Sequence, residues 1–202
     1  MTGFVTQSNH SEKPYPIVRP RRWSRDEYYK MAECGIFGPE EHWELIDGVI
    51  IERIGSFSRG YYGCVHLTRK ALHAIYRNDY YVSSRSPLIL NNFTEPEPDI
   101  VVALGNVLNY SAQHPTANDT CLVVEIDDGR LARDYDFRAA LYAEASIPEY
   151  WIVNLLERQL VVYRTPVNEL GYQSVITATQ EENVSSLFAP ELTIAISQLF
   201  SG

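Results

Sequence analysis

Apolar and polar positions along the chain switch between a helical period and a strand period, and the switches delimit the elements. Tyr28, Met31 and Ala32 fall on one helical face, and Ser24 followed three residues later by Glu27 forms a capping box at the start of that helix. The helix is expected to end around Cys34-Gly35. Two apolar arms then flank Asp47-Gly48 between Trp43 and Arg53, a strong hairpin signal that places Glu44 in the first arm. A Gly- and Ser-rich loop over 55–60 leads into a helix predicted over 61–77, with Val65, Leu72 and Ile75 at roughly helical spacing.

Strand composition follows at 80–82 and 88–90, and Pro96 and Pro98 stiffen the approach to a strand starting at Asp99. A polar loop over 109–120 precedes a strand over 121–126. This strand and the one after Asp99 are almost wholly apolar, as expected of central strands covered on two sides. Asp127-Asp128-Gly129 turns the chain into a helix over 131–145, stopped before Pro148, and 150–154 is again a buried-type strand. Segments 160–164 and 172–176 form a hairpin around 168–171, and 192–200 supplies a short strand and a helical turn. The expected class is α/β (α+β), a mixed central sheet flanked by helices with an additional β-hairpin. Residues 1–20, polar and carrying Pro14, Pro16 and Pro20, read as a flexible N-terminal arm, and residues 21–202 as one domain.

A chain of 202 residues with 45% hydrophobic content can bury a sizeable core. No apolar run approaches the ~20 residues of a membrane-spanning helix, and the polar start is unlike a secretory signal, so a cytoplasmic protein without membrane contact is expected. Cys34, Cys64 and Cys121 are too scattered for a C-x-x-C zinc or redox motif. The formal charge of −9 argues against indiscriminate nucleic-acid binding. Its distribution softens that argument, because arginines cluster at 19–25 and continue from Arg53 to Arg85, whereas no basic residue follows Arg164.

The candidate chemistry lies in the acids. Glu125 and Asp127, two apart, share one face of a strand, and Asp99 opens its candidate neighbour. A buried strand has little reason to carry an unpaired acid, so a cation, a hydrogen-bond network or solvent access is implied. Oxygen-only clusters suit hard cations such as magnesium, although aspartates also begin turns.

The motifs Trp43-Glu44-Leu45-Ile46-Asp47-Gly48, Pro98-Asp99-Ile100-Val101-Val102, Leu122-Val123-Val124-Glu125-Ile126, Leu141-Tyr142-Ala143 and Ile147-Pro148-Glu149-Tyr150-Trp151 occur in the order and spacing of the Uma2 family. The chain resembles that family over about 23–200, and through it the PD-(D/E)XK nuclease superfamily. The resemblance implies a restriction endonuclease-like fold and metal-dependent hydrolysis of phosphodiesters in DNA. It also implies Mg2+ or Mn2+ held by Asp99 and Glu125, with Glu44 as an acid near the site. Three positions depart from the family pattern. Arg138 stands where a lysine is usual, Asp127-Asp128-Gly129 replaces a Ser-Pro-Ser-like turn, and Tyr61 or Tyr62 falls where many members carry histidine. Arginine stays charged and can steady a developing phosphate charge, but it is a poor proton shuttle.

Plainer roles compete with each of these. Arg138 is one helical turn from Asp134 and could form a surface ion pair. Glu44 could cap the hairpin, Asp127 could cap the following helix, and His66 and His73 read as core or surface histidines. The tryptophans and tyrosines suit packing, and an exposed tyrosine patch would fit a homodimer. The competing functions are therefore a DNA-cutting enzyme, a catalytically degenerate nuclease fold acting as an interaction module, and, more remotely, a glycosidase using paired carboxylates.

Overall fold

The structure, a computed structural model, describes residues 19–38, 41–53, 58–129, 135–168 and 170–200. Helix α1 (Arg25–Glu33) starts as its sequence dictates: the Ser24 side chain accepts from the Glu27 N–H while Glu27 reaches back to Ser24, closing the capping box. Strands β1 (Trp43–Ile46) and β2 (Val49–Glu52) form the expected hairpin. Asp47 and Gly48 both hold positive φ, 50° and 77°, as a two-residue mirror-type turn requires. A Cβ on Gly48 would lie 2.6 Å from the Arg22 Cβ, so the position is closed to larger residues on two counts.

Helix α2 (Arg59–Tyr76) is capped by Ser58 and begins two residues before the expected start. Next come β3 (Tyr80–Ser84), β4 (Ile100–Leu104), β5 (Thr120–Asp127), α3 (Tyr135–Glu144), β6 (Glu149–Asn154), β7 (Gln159–Val167) and β8 (Gly171–Thr179). The six strands β3 to β8 form one sheet in sequence order. β5 and β6 run parallel across the α3 connection, and every other neighbouring pair is antiparallel. A second short pair, β9 (Asn183–Ser186) with β10 (Ala189–Ala195), closes the chain.

The two-sided covering expected of the apolar strands is present. Leu72 and Tyr76 of α2 pack with Val102, Leu122, Val124 and Trp151 on one side, joined by Ile194 and Leu199 from the tail. Ala139 and Tyr142 of α3 pack with Val101, Val123, Tyr150 and Ile152 on the other. Each fully buried aliphatic side chain contributes about 1.5–3 kcal/mol. The sheet is therefore the rigid part on which the site is built.

Two readings of the pattern change. Segment 88–90 is no strand: Ile89 makes an isolated bridge to Thr116, and Leu88 donates to the Pro96 carbonyl. Prolines at 87, 96, 98 and 115 lack the donors a ladder would need. β9 is not evident from the pattern, since Asn183–Ser186 contains a single apolar residue. The arm and the first residues of the helix expected over 131–145 lie outside the described residues, apart from 19 and 20. Among the described residues, Cys34 is exposed, Cys64 and Cys121 are buried and all three are free. No helix there is long and apolar enough to cross a membrane.

Candidate active site

Three chain segments bring acids to one place. The antiparallel register pairs Ile100 with Val124, which sets Asp99, just before β4, beside Glu125 near the end of β5. Asp99 Oδ2 accepts the Ile126 backbone N–H at 2.7 Å, and Oδ1 accepts the hydroxyl of Tyr61 from the first turn of α2. Glu44 comes from the hairpin, which is tied to the rest by backbone hydrogen bonds in both directions between Leu45 and Glu95. Glu44 Oε1 accepts the Glu97 N–H at 2.9 Å. The three acids are almost completely buried, at 1%, 0% and 3% exposure for Glu44, Asp99 and Glu125.

Two guanidinium groups hold them together. Arg138 on α3 donates from Nη2 to Glu44 Oε2 at 2.6 Å and from Nη1 to Glu125 Oε1 at 3.3 Å. One turn further on, Tyr142 donates to the same Glu125 oxygen at 2.9 Å, the i, i+4 spacing putting both groups on one helix face. Arg53, just after β2, lies among the acids at longer range. Its Nη1 is 3.7 Å from Glu44 Oε1, and its Nη2 is 3.9 Å from both Asp99 Oδ1 and Glu125 Oε2. Its Nη1 also donates to the Glu97 carbonyl at 2.7 Å. Each acid therefore has one oxygen tied to Arg138 or to a backbone N–H and the other turned toward Arg53.

Burial pushes the Glu125 carboxyl up to about 7, with Arg138 opposing the rise and Asp99 adding to it. Burial raises Asp99 as well, against the pull of Arg53. Both arginines are raised: burial disfavours their charge, but Glu125 and the neighbouring acids more than offset it. Burial and Asp99 keep the Tyr61 phenol protonated. A buried ionic cluster is a weak source of stability compared with apolar packing of the same volume. Three acids around two cations are consequently a functional signal more than a structural one.

The four residues singled out from the sequence, Glu44, Asp99, Glu125 and Arg138, share this one cluster. Arg138 is not a surface residue: it is 6% exposed, and Asp134 lies outside the described residues. Asp127 accepts the Gly129 N–H at 2.7 Å, so it shapes the turn after β5, whereas the start of the helix it is expected to cap also lies outside the described residues. His66 and His73 are on the exposed side of α2. Of the two tyrosines at the family's histidine position Tyr61 is the one that reaches Asp99, whereas Arg53 and Tyr142 are not evident from the sequence as interacting groups. For Arg138 and Tyr142 the four-residue spacing is available as a signal, whereas Arg53 depends on where the hairpin docks.

Among the described residues no three acidic, histidine or cysteine side chains converge closely enough to hold a metal ion as placed; the acids are spread around Arg53. A cavity of about 730 Å³ on the outer side of α3, lined by Asp47, Phe137 and Glu144 among others, includes none of the three acids. Another buried acid, Glu149, stands apart from the cluster. Glu149, 0% exposed, accepts from Trp151 Nε1 at 3.0 Å, Arg164 Nε and Nη2 at 2.9 and 2.6 Å, Ser186 Oγ at 2.5 Å and the Leu187 N–H at 2.9 Å.

A mixed six-stranded sheet flanked by helices, with acids at the ends of adjacent central strands, defines the class of nuclease-like folds. A crystal structure described as "a putative nuclease belonging to DUF820", from Anabaena variabilis ATCC 29413, superposes with a TM-score of 0.68 over 88% of this chain and 97% of that one, at 17% identity. Residues 25–197 match the family model Uma2, described as "Putative restriction endonuclease", and the chain belongs to the Uma2 family. No curated protein matches it.

Proposed function

We propose that the protein is a metal-dependent phosphodiesterase of the endonuclease type, acting on DNA. Asp99 and Glu125 would hold Mg2+ or Mn2+, Glu44 is the third acid, and Arg138 is a fixed cation. The observation that carries this reading is the guanidinium of Arg53, which three carboxylates from three chain segments share at 3.7–3.9 Å, beyond hydrogen-bonding range. Arg53 occupies the space among these oxygens, two of which also accept from Tyr61 and the Glu97 N–H. The all-oxygen donor set suits a hard divalent ion, and the groups behind it hold each acid in place as ligand carboxylates require.

Such an ion, when bound, supplies an activated water and neutralises charge on a phosphate. The chain's own residues do the positioning. Tyr61 and the Ile126 N–H orient Asp99, Tyr142 and Arg138 orient Glu125, and the Glu97 N–H and Arg138 orient Glu44. Arg138 keeps its charge throughout and steadies negative charge on the phosphoryl oxygens without exchanging a proton. Membership of the Uma2 family supports phosphodiester chemistry.

Supercoiled plasmid incubated with Mg2+ or Mn2+ is the direct test. Nicking is expected to require the metal and to disappear in a folded Glu125→Gln variant; activity unchanged by that substitution would belong to a contaminant and defeat the proposal. A second reading, a degenerate nuclease fold that binds a partner without cutting, draws on the 2.6 Å bond between Arg138 and Glu44, which already neutralises part of the cluster. Absence of any binding heat at millimolar metal would favour it.

A further inference from the structure

The outward face of α2 differs from the rest of this acidic molecule. Between 59 and 78 the chain carries Arg59, Arg69, Lys70 and Arg77, together with His66 and His73, and no acid at all, within a chain of formal charge −9. At 100° per residue the five positions within the helix form one stripe, Arg77 follows its last turn, and all six are exposed. The opposite face, Tyr61, Cys64, Val65, Thr68, Leu72 and Tyr76, is buried against the sheet. Among the described residues no carboxylate oxygen lies within 4.0 Å of Arg59, Arg69, Lys70 or Arg77. Partial burial and, after it, the adjacent Arg69 lower the His73 pKa.

Two further features give the stripe a direction. The 18 residues of α2 span about 27 Å, equal to roughly eight base steps at 3.4 Å per step. At one end is the site, because the Tyr61 hydroxyl donates to Asp99. At the other, Arg69, His73 and Arg77 wall a groove of about 550 Å³ whose floor includes Tyr80 and Tyr81 of β3, the edge strand of the sheet.

From this charge complementarity we infer that the outer face of α2 is a binding track for the phosphate backbone of duplex DNA, leading from the Tyr80 groove to the acid cluster. The inference rests on the nuclease reading for the identity of the polyanion and goes beyond it by assigning the surface that carries the duplex. The track supplies affinity without sequence preference, since backbone contacts position a duplex but do not read it.

The test is fluorescence anisotropy of the full chain with a labelled duplex of about 30 base pairs, in EDTA so that no cleavage intervenes, over about 50–200 mM salt. The wild type is expected to bind with a steep salt dependence. Arg69→Glu/Lys70→Glu/Arg77→Glu should weaken binding about 100-fold at the lowest salt and reduce the slope of log K against log salt by about 2 to 3, three cations' share at ~0.9 each. Lys30→Glu, a charge reversal on exposed α1, should lower affinity less than threefold, and circular dichroism should show all variants folded. Unchanged affinity and slope in the triple variant would overturn the inference. So would absence of duplex binding by the wild type, or loss in the triple variant of binding to anionic phosphatidylserine vesicles with duplex binding intact. Asp99→Asn separates the two proposals: it should bind the duplex as the wild type does while losing metal. Metal-dependent nicking that survives with undiminished duplex affinity in the triple variant would leave the site standing and remove the track.

Discussion

Glu149 and the Glu44–Asp99–Glu125 cluster are two solutions to the same problem of keeping acids inside a protein. Glu149 takes donors from two side-chain N–H systems, a hydroxyl and a backbone amide, and its arginine partner sits at 2.6–2.9 Å. Its charge is fully answered by the fold. In the other cluster three acids share two arginines, and one of those stands 3.7–3.9 Å away from all three. Glu149 is bound to its arginine at hydrogen-bond distance, whereas Arg53 stands among three acids whose own hydrogen bonds come from Arg138, Tyr142, Tyr61 and backbone N–H groups. The difference is in coordination, since all four acids are equally buried.

The sharpest way to break this contrast is Asp99→Asn. The amide oxygen of the substituted side chain can still accept the Ile126 N–H, so the fold should persist while calorimetric binding of Mg2+ and Mn2+ disappears; retained binding heat would remove Asp99 from the proposed ligand set. Next in size, Glu149→Ala should cost about 3–5 kcal/mol in urea unfolding, because it strands the partly buried Arg164 charge. A loss below about 1 kcal/mol, the range of exposed pairs, would erase the distinction between the two clusters.

Arg53→Gln sharpens the comparison from the other side. With the internal cation gone, Mn2+ should bind about tenfold tighter, ~1.4 kcal/mol, and the metal-free protein should melt at lower temperature because three acids have lost a counter-ion. Weaker metal binding in this variant would make Arg53 a helper of the metal and not its competitor. A further test concerns pH. The folded-state value of about 7 for Glu125 lies above its ordinary 4.5. Stability from this group is therefore complete below its ordinary value and is lost as pH rises through about 7. The melting temperature of the metal-free wild type should fall between about pH 5 and pH 8, and Glu125→Gln should flatten that part of the profile.

Much of the site is legible without coordinates. Asp47-Gly48 declares the hairpin, Ser24 and Glu27 declare the first helix, and apolar strands bearing Asp99 and Glu125 at their ends imply neighbours whose acids meet. These signals are local or depend on pairing between adjacent strands. What is not legible depends on docking. Arg53 ends a half-exposed strand, and nothing in its own segment says that the hairpin folds back onto Asp99. Arg138 has a plausible partner four residues earlier, and only the packing of α3 turns it toward Glu44. Segment 88–90 has the composition of a strand, but its surrounding prolines allow no more than single bridges.

The hairpin is a separate two-stranded sheet, whereas Glu125 belongs to the six-stranded one and Asp99 immediately precedes one of its strands. Glu125 thus sits in a strand with ladder partners on both sides, whereas the hairpin carrying Glu44 is held by single bridges such as those of Leu45 to Glu95 and Gly48 to Phe93. In a hydrogen-exchange experiment β1 and β2 should lose protection well before β5.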